Sequence, residues 1–145
     1  MSERPSAMTR KDFVRFVPVT TRWNDNDVYG HINNAVYFQF FDSAANQILV
    51  EAGVLDLARS DIVGLMAETR CTYFSSLAYP ATIQVGVAVE HIGRSSVRYR
   101  LGIFAAGADA AAAQGGFTHV YVARHGNRPV AIPGAVRKVL EAMRG

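Results

Sequence analysis

Residues 34–51, NAVYFQFFDSAANQILVE, form the stretch that most constrains this chain. The segment has too few breakers for a loop. Its polar residues Gln39, Asp42, Ser43, Asn46 and Gln47 fall at helical spacing, leaving a narrow polar stripe on a mostly apolar cylinder. With Asn33 as N-cap and Gly53 as the stop, the helix spans about 18 residues, or ~27 Å at 1.5 Å per residue. A helix apolar on most sides must be wrapped by the rest of the chain.

The remaining residues supply strands for that wrapping. Residues 13–23 make a β-rich run with weak alternation, and Pro18 confines it to a sheet edge or a bulge. Residues 62–74 read as a second strand and 82–92 as a third, with Ile83, Val85, Val87 and Val89 in period two. In 95–104, Val97, Tyr99, Leu101 and Ile103 share one face while Arg98 and Arg100 take the other. Gly93 and Arg94 then form a tight hairpin turn. The tract AAGADAAAAQGG (105–116) reads as a low-complexity, mobile connection, followed by a last strand over 117–124 and a short helix over 134–143. The expected architecture is α+β: one antiparallel sheet curled around one long central helix, with a short C-terminal helix. One domain covers 1–145, with 1–12 as a flexible N-terminus. One helix cannot cover such a sheet, so a second copy of the chain is expected to complete the burial.

Composition narrows the function. Fifteen Lys and Arg against 12 Asp and Glu give a net charge of +3, enough to favour a phosphate-bearing ligand and too little for a nucleic-acid footprint. The single cysteine, Cys71, permits no internal disulfide and fits a reducing compartment, which suggests the cytoplasm. The N-terminal MSERPSAMTRKD lacks the apolar segment of a signal peptide, and no apolar run is long enough to cross a membrane. His31, His91, His119 and His125 show no paired ligand spacing, so no metal is expected, and no G-x-S-x-G elbow is present.

The loop before the long helix reads RWNDNDVYGHINNAVYF (22–38). By themselves Asp25 and Asp27, among Asn and Gly, read as turn formers. The run Asp25-Asn26-Asp27-Val28-Tyr29-Gly30-His31-Ile32-Asn33-Asn34 resembles, however, the D-x-D-x-x-G-H-V-N-N loop of hotdog-fold thioesterases of the 4-hydroxybenzoyl-CoA thioesterase family, with Ile32 in place of Val. Later segments resemble the family too: Tyr79-Pro80, Gly93-Arg94-Ser95-Ser96, and Arg128-Pro129 through Pro133. The resemblance implies an acyl-CoA thioesterase, a homodimer or a tetramer of two dimers, with sites between subunits. Coenzyme A is part of its substrate, and no cofactor is required. It implies Asp27 as the catalytic carboxylate, acting as nucleophile or as general base, while Asp25 holds the turn. The backbone amide at Asn34 becomes the candidate oxyanion donor, and Gly30 permits close approach of ligand and chain. His31 is a lesser catalytic candidate; Asn33 caps the helix and lies close to substrate.

Arg94, Ser95 and Ser96 are candidates for the nucleotide phosphates, against the alternative of a solvated turn. Tyr29, Tyr37, Phe38 and Phe41 are acyl-channel candidates, although aromatics on a buried helix are more often core. Asp42 and Glu51 lie where other hotdog thioesterases place a helical Glu, with a structural hydrogen bond the expected use of Asp42; Glu68 faces either a pocket or solvent. Two rivals stand beside this reading: a thioesterase for acyl-carrier-protein substrates, and a non-catalytic acyl-CoA binding module.

Overall fold

A computed structural model describes residues 5–145. Its five strands form one antiparallel sheet: β1 (Arg15–Thr20), β2 (Ile62–Tyr73), β3 (Thr82–Ile92), β4 (Ser96–Ala105) and β5 (Ala113–Ala123), in the spatial order β1-β3-β4-β5-β2. The long helix α1 (Val36–Glu51) follows β1, and α2 (Gly134–Glu141) ends the fold. Helix α1 packs against β1, β2, β3 and β4, so the sheet does curl around it. This is the hotdog architecture. No helix among the described residues is long and apolar enough to cross a membrane.

The polar stripe sets the rotation of α1. Gln39, Asp42, Ser43 and Gln47 are exposed, whereas Tyr37, Phe40, Phe41, Ala44, Ala45, Ile48 and Leu49 are buried. They meet Ile83, Val85, Val87 and Val89 of β3 and Val97, Tyr99, Leu101 and Ile103 of β4, the two period-two faces read from the sequence. Fully burying each such side chain contributes about 1.5–3 kcal/mol, which fixes both helix rotation and strand register.

β1 pairs only with β3, as an edge strand should when it carries a proline. Element ends shift: β1 covers Arg15–Thr20 rather than 13–23, α2 stops at Glu141 rather than 143, and two further changes have a clear local cause. The helix begins at Val36 rather than Asn34, because Asn33 caps the preceding turn: its Oδ1 accepts the Ala35 N–H at 2.9 Å and its carbonyl accepts the Val36 N–H at 2.9 Å. β5 begins at Ala113, inside the tract expected to be a mobile connection. Gly115 and Gly116 are strand residues flanked on both sides: a Cβ on Gly115 would collide with the Arg70 carbonyl of β2, and one on Gly116 with the Tyr99 carbonyl of β4. Glycines that punctuate a sequence here permit close strand packing.

A second, smaller core covers the outer face of the sheet. Phe13 lies over Gly86 and Gly102, which leave room for its ring, and packs edge-on to Phe104 at 5.6 Å. Residues 1–4 lie outside the described residues. Within the rest of the N-terminal segment, Met8 N–H donates to Gln114 Oε1 at 2.6 Å and Arg10 Nε donates to the Ala108 carbonyl at 2.7 Å. The Arg10 guanidinium also lies 4.9 Å from the Phe104 ring centroid.

Candidate active site

The loop between β1 and α1 is a small hairpin of its own. Asn26 and Ile32 form an antiparallel bridge; Asp27 N–H donates to the His31 carbonyl at 2.8 Å, and Asn33 N–H donates to the Asp25 carbonyl at 2.9 Å. At its tip Gly30 N–H donates to the Asp27 carbonyl at 3.1 Å, and Gly30 adopts φ +80°, a conformation that favours glycine. A Cβ there would meet nothing within 4 Å, so within the chain it is backbone conformation rather than crowding that calls for glycine.

Two carboxylates two residues apart have opposite fates. Asp25 is buried with both oxygens engaged: Oδ2 accepts the Arg22 N–H at 2.7 Å, and Oδ1 meets the Arg22 guanidinium at 2.9 Å. It is the structural member of the pair, as expected. Asp27 is half-buried and uses one oxygen, Oδ1, to accept the Tyr29 N–H at 2.9 Å. Its Oδ2 accepts no hydrogen bond from the described residues. A cavity of about 430 Å³ opens beside it, lined by Trp23, Asn26, Asp27, Val28, Gly30, Tyr79 and Pro80.

The start of α1 presents the second element of the site. Three amides stand there, and two are occupied, Ala35 by the Asn33 side chain and Val36 by the Asn33 carbonyl. The Asn34 N–H has no acceptor among the described residues. It borders a cavity of about 280 Å³ lined by Ile32, Asn34, Tyr37, Tyr73, Phe74, Ser75 and Ser76. An unused amide at a helix start is suited to hold developing negative charge.

Sequence reasoning missed Tyr73. Its hydroxyl, at the end of β2, donates to the Asn34 carbonyl at 2.6 Å, and its ring packs edge-on to Tyr37 at 5.0 Å. Burial raises the pKa of Tyr73, Tyr37 and Cys71, the thiol to about 11, so all three are neutral near pH 7. A contact between positions 39 residues apart leaves no local trace in the sequence.

The remaining candidates divide by place. Tyr37 is buried at the second cavity; Phe41 is core, and Phe38 packs against it. Tyr29 and His31 are exposed, and His31 enters the loop through its backbone carbonyl. Asp42 accepts from Asn46 at 3.0 Å, and Glu51 accepts from Gln47 at 2.9 Å, both along the exposed helix face. Glu68 is exposed on β2.

Arg94, Ser95 and Ser96 lie at the β3–β4 hairpin, where Gly93 N–H donates to the Ser96 carbonyl at 2.7 Å. The Asp27 loop adjoins the opposite end of β3, because Thr20 pairs with Thr82. Eleven residues of β3 separate the two ends, roughly 33 Å at ~3.3 Å per residue. Within one chain the hairpin and Asp27 do not meet.

The fold thus carries a carboxylate oxygen and a helix-start amide that have no partners among the described residues, each on a residue that lines a cavity. The chain belongs to the Thioesterase-like superfamily, whose profile matches residues 21–140. That membership supports thioester hydrolysis. Among solved structures, the PA5185 protein of Pseudomonas aeruginosa strain PAO1 is 43% identical, with a TM-score of 0.94 over 96% of this chain and 97% of that one. The PA2801 protein of Pseudomonas aeruginosa is 24% identical, with a TM-score of 0.80 over 88% and 98%. A 1,4-dihydroxy-2-naphthoyl-CoA thioesterase from Synechocystis is 14% identical, with a TM-score of 0.78 over 86% and 93%. The last two attest the fold alone. No curated protein matches the chain.

Proposed function

We propose that this protein is an acyl-CoA thioesterase, active as a homodimer, with Asp27 as its catalytic carboxylate. The observation that carries the reading is the asymmetry of Asp27, a residue that lines a cavity: one oxygen fixes the turn while the other accepts no hydrogen bond from the described residues. Superfamily membership supplies the reaction type. The loop resembles that of the 4-hydroxybenzoyl-CoA branch, and the Synechocystis neighbour is named for a CoA thioester.

In this mechanism the thioester carbonyl oxygen takes the Asn34 N–H as its donor. Asp27 Oδ2 then either attacks the carbonyl carbon, forming an acyl anhydride and expelling the CoA thiolate before water cleaves the anhydride, or takes a proton from an attacking water. Both routes consume one water and yield acid and thiol. Coenzyme A is substrate, and the chemistry calls for no metal.

What supports the dimer is β2, an edge strand of 12 residues with 65–70 exposed. A long unpaired edge is a template for a second strand. Pairing β2 with its own copy about a two-fold axis at Thr69 sets Glu68 of each chain opposite Arg70 of the other, a favourable cross-strand pair. Antiparallel pairing also turns the partner end for end. It brings the hairpin end of one subunit to the Asp27 end of the other, so that Arg94, Ser95 and Ser96 reach coenzyme A phosphates across the interface. An unpaired Cys71 suits the cytoplasm, where acyl-CoA is made and used.

The test is thiol release from a panel of acyl-CoA thioesters beside the same acyl groups on acyl carrier protein. The account expects faster turnover of the CoA thioesters. Faster turnover on the carrier protein moves the substrate assignment, and binding without release makes the chain a binding module.

A further inference from the structure

We infer that Tyr73 is a positioning residue that fixes the oxyanion amide at the start of α1; this rests on the thioesterase reading given above. The Asn34 N–H shares its peptide plane with the Asn33 carbonyl, which the Val36 N–H holds at 2.9 Å, and the plane after it carries the Asn34 carbonyl, which Tyr73 holds, and the Ala35 N–H, which the Asn33 side chain holds. Asn34 precedes the first residue of α1, and Asn33 secures the amides of Ala35 and Val36 rather than that of Asn34. The Tyr73 hydroxyl is the side-chain donor that reaches this turn, at 2.6 Å from the Asn34 carbonyl. By fixing the plane after Asn34 it restricts the backbone of the residue that carries this N–H and lines the cavity.

Its own placement is firm. The ring packs on Tyr37, which is buried, and the backbone is paired with Ala113 of β5. The chain that continues from Tyr73 holds the same loop twice more, Leu77 accepting the Ile32 N–H at 2.7 Å and Tyr79 N–H donating to Asn26 Oδ1 at 2.9 Å. The Tyr73 hydroxyl is the contact of the three nearest the oxyanion donor. A neutral phenol suits this task because it keeps its proton for the carbonyl throughout the reaction.

The experiment compares Tyr73→Phe with the parent. Phenylalanine keeps the ring contact with Tyr37 and removes the hydroxyl, with its bond to the Asn34 carbonyl and its contact with the Cys71 thiol. Two readouts are taken: hydrogen exchange of a peptide covering residues 31–37, with a β4 peptide as the unaffected reference, and kcat and KM on an acyl-CoA. The expected result is faster exchange in 31–37, with kcat lowered about tenfold or more and KM little changed, since misaligning an oxyanion donor costs less than the ~10²–10³ of deleting one. Unchanged exchange overturns the inference, and so does faster exchange with parental kcat. A parent that hydrolyses no thioester overturns the catalytic reading instead, and exchange alone then decides whether this hydroxyl fixes the helix start.

Discussion

Asp25 and Asp27 show how little residue type says without partners. Both carboxylates sit in one turn, yet Arg22 engages both oxygens of Asp25 while Asp27 retains a free one. The D-x-D spacing made both visible in the sequence; only the hydrogen bonds separate their roles. His119 makes the same point in the core. It stacks on Phe117 at 4.4 Å, its Nδ1 has no hydrogen-bond partner among the described residues, and its Nε2 lies 4.0 Å from Asp42 Oδ1. Burial lowers its pKa below the ordinary 6.5, partly offset by Asp42. The unfolded chain therefore binds this proton more readily than the folded one. The resulting stability is full above about pH 6.5 and is lost as pH falls toward the depressed folded value, at up to ~1.4 kcal/mol per pH unit. Phenylalanine at this position keeps the stack and cannot titrate. Thermal melts of His119→Phe from pH 7.5 to 5 are expected to show a shallower decline than the parent, and an identical decline would assign the pH dependence to other groups.

At the scale of elements, what was legible followed from periodicity. The stripe Gln39, Asp42, Ser43, Asn46 and Gln47 fixed the exposed face of α1, and alternation fixed the inner faces of β3 and β4, because solvent and core impose those patterns directly. The start of β5 was not legible, since Gly115 and Gly116 read as breakers until the strands on either side are known. Their smallness is a requirement of the sheet. Gly116→Ala is expected to destabilise by about 1–3 kcal/mol, because its Cβ would meet the Tyr99 carbonyl and β4 and β5 must part to admit it. The midpoint of urea unfolding reports this. A midpoint equal to the parent's would mean that the strands yield without cost.

For the whole molecule, the sequence showed that one helix leaves a sheet incompletely covered, but not which edge stays open. The strand order leaves two edges, the six-residue, proline-bearing β1 and the 12-residue β2, and the longer run is the one suited to pairing. It also separates Asp27 from Arg94 by the length of β3, a separation invisible in a motif list. The proposed β2 pairing predicts that Glu68→Lys weakens the dimer by setting like charges opposite each other, and that adding Arg70→Glu restores it. Light scattering at low micromolar concentration measures both; equal dimer populations in all three proteins would exclude this register. The central claim is that the free oxygen of Asp27 does the chemistry, and thiol release from acyl-CoA by Asp27→Asn tests it most directly. Asparagine can still accept the Tyr29 N–H and hold the turn, but it offers no anionic oxygen. The account predicts turnover lowered by ~10²–10⁴ with folding intact, whereas hydrolysis close to the parent's would show that this loop only turns the chain.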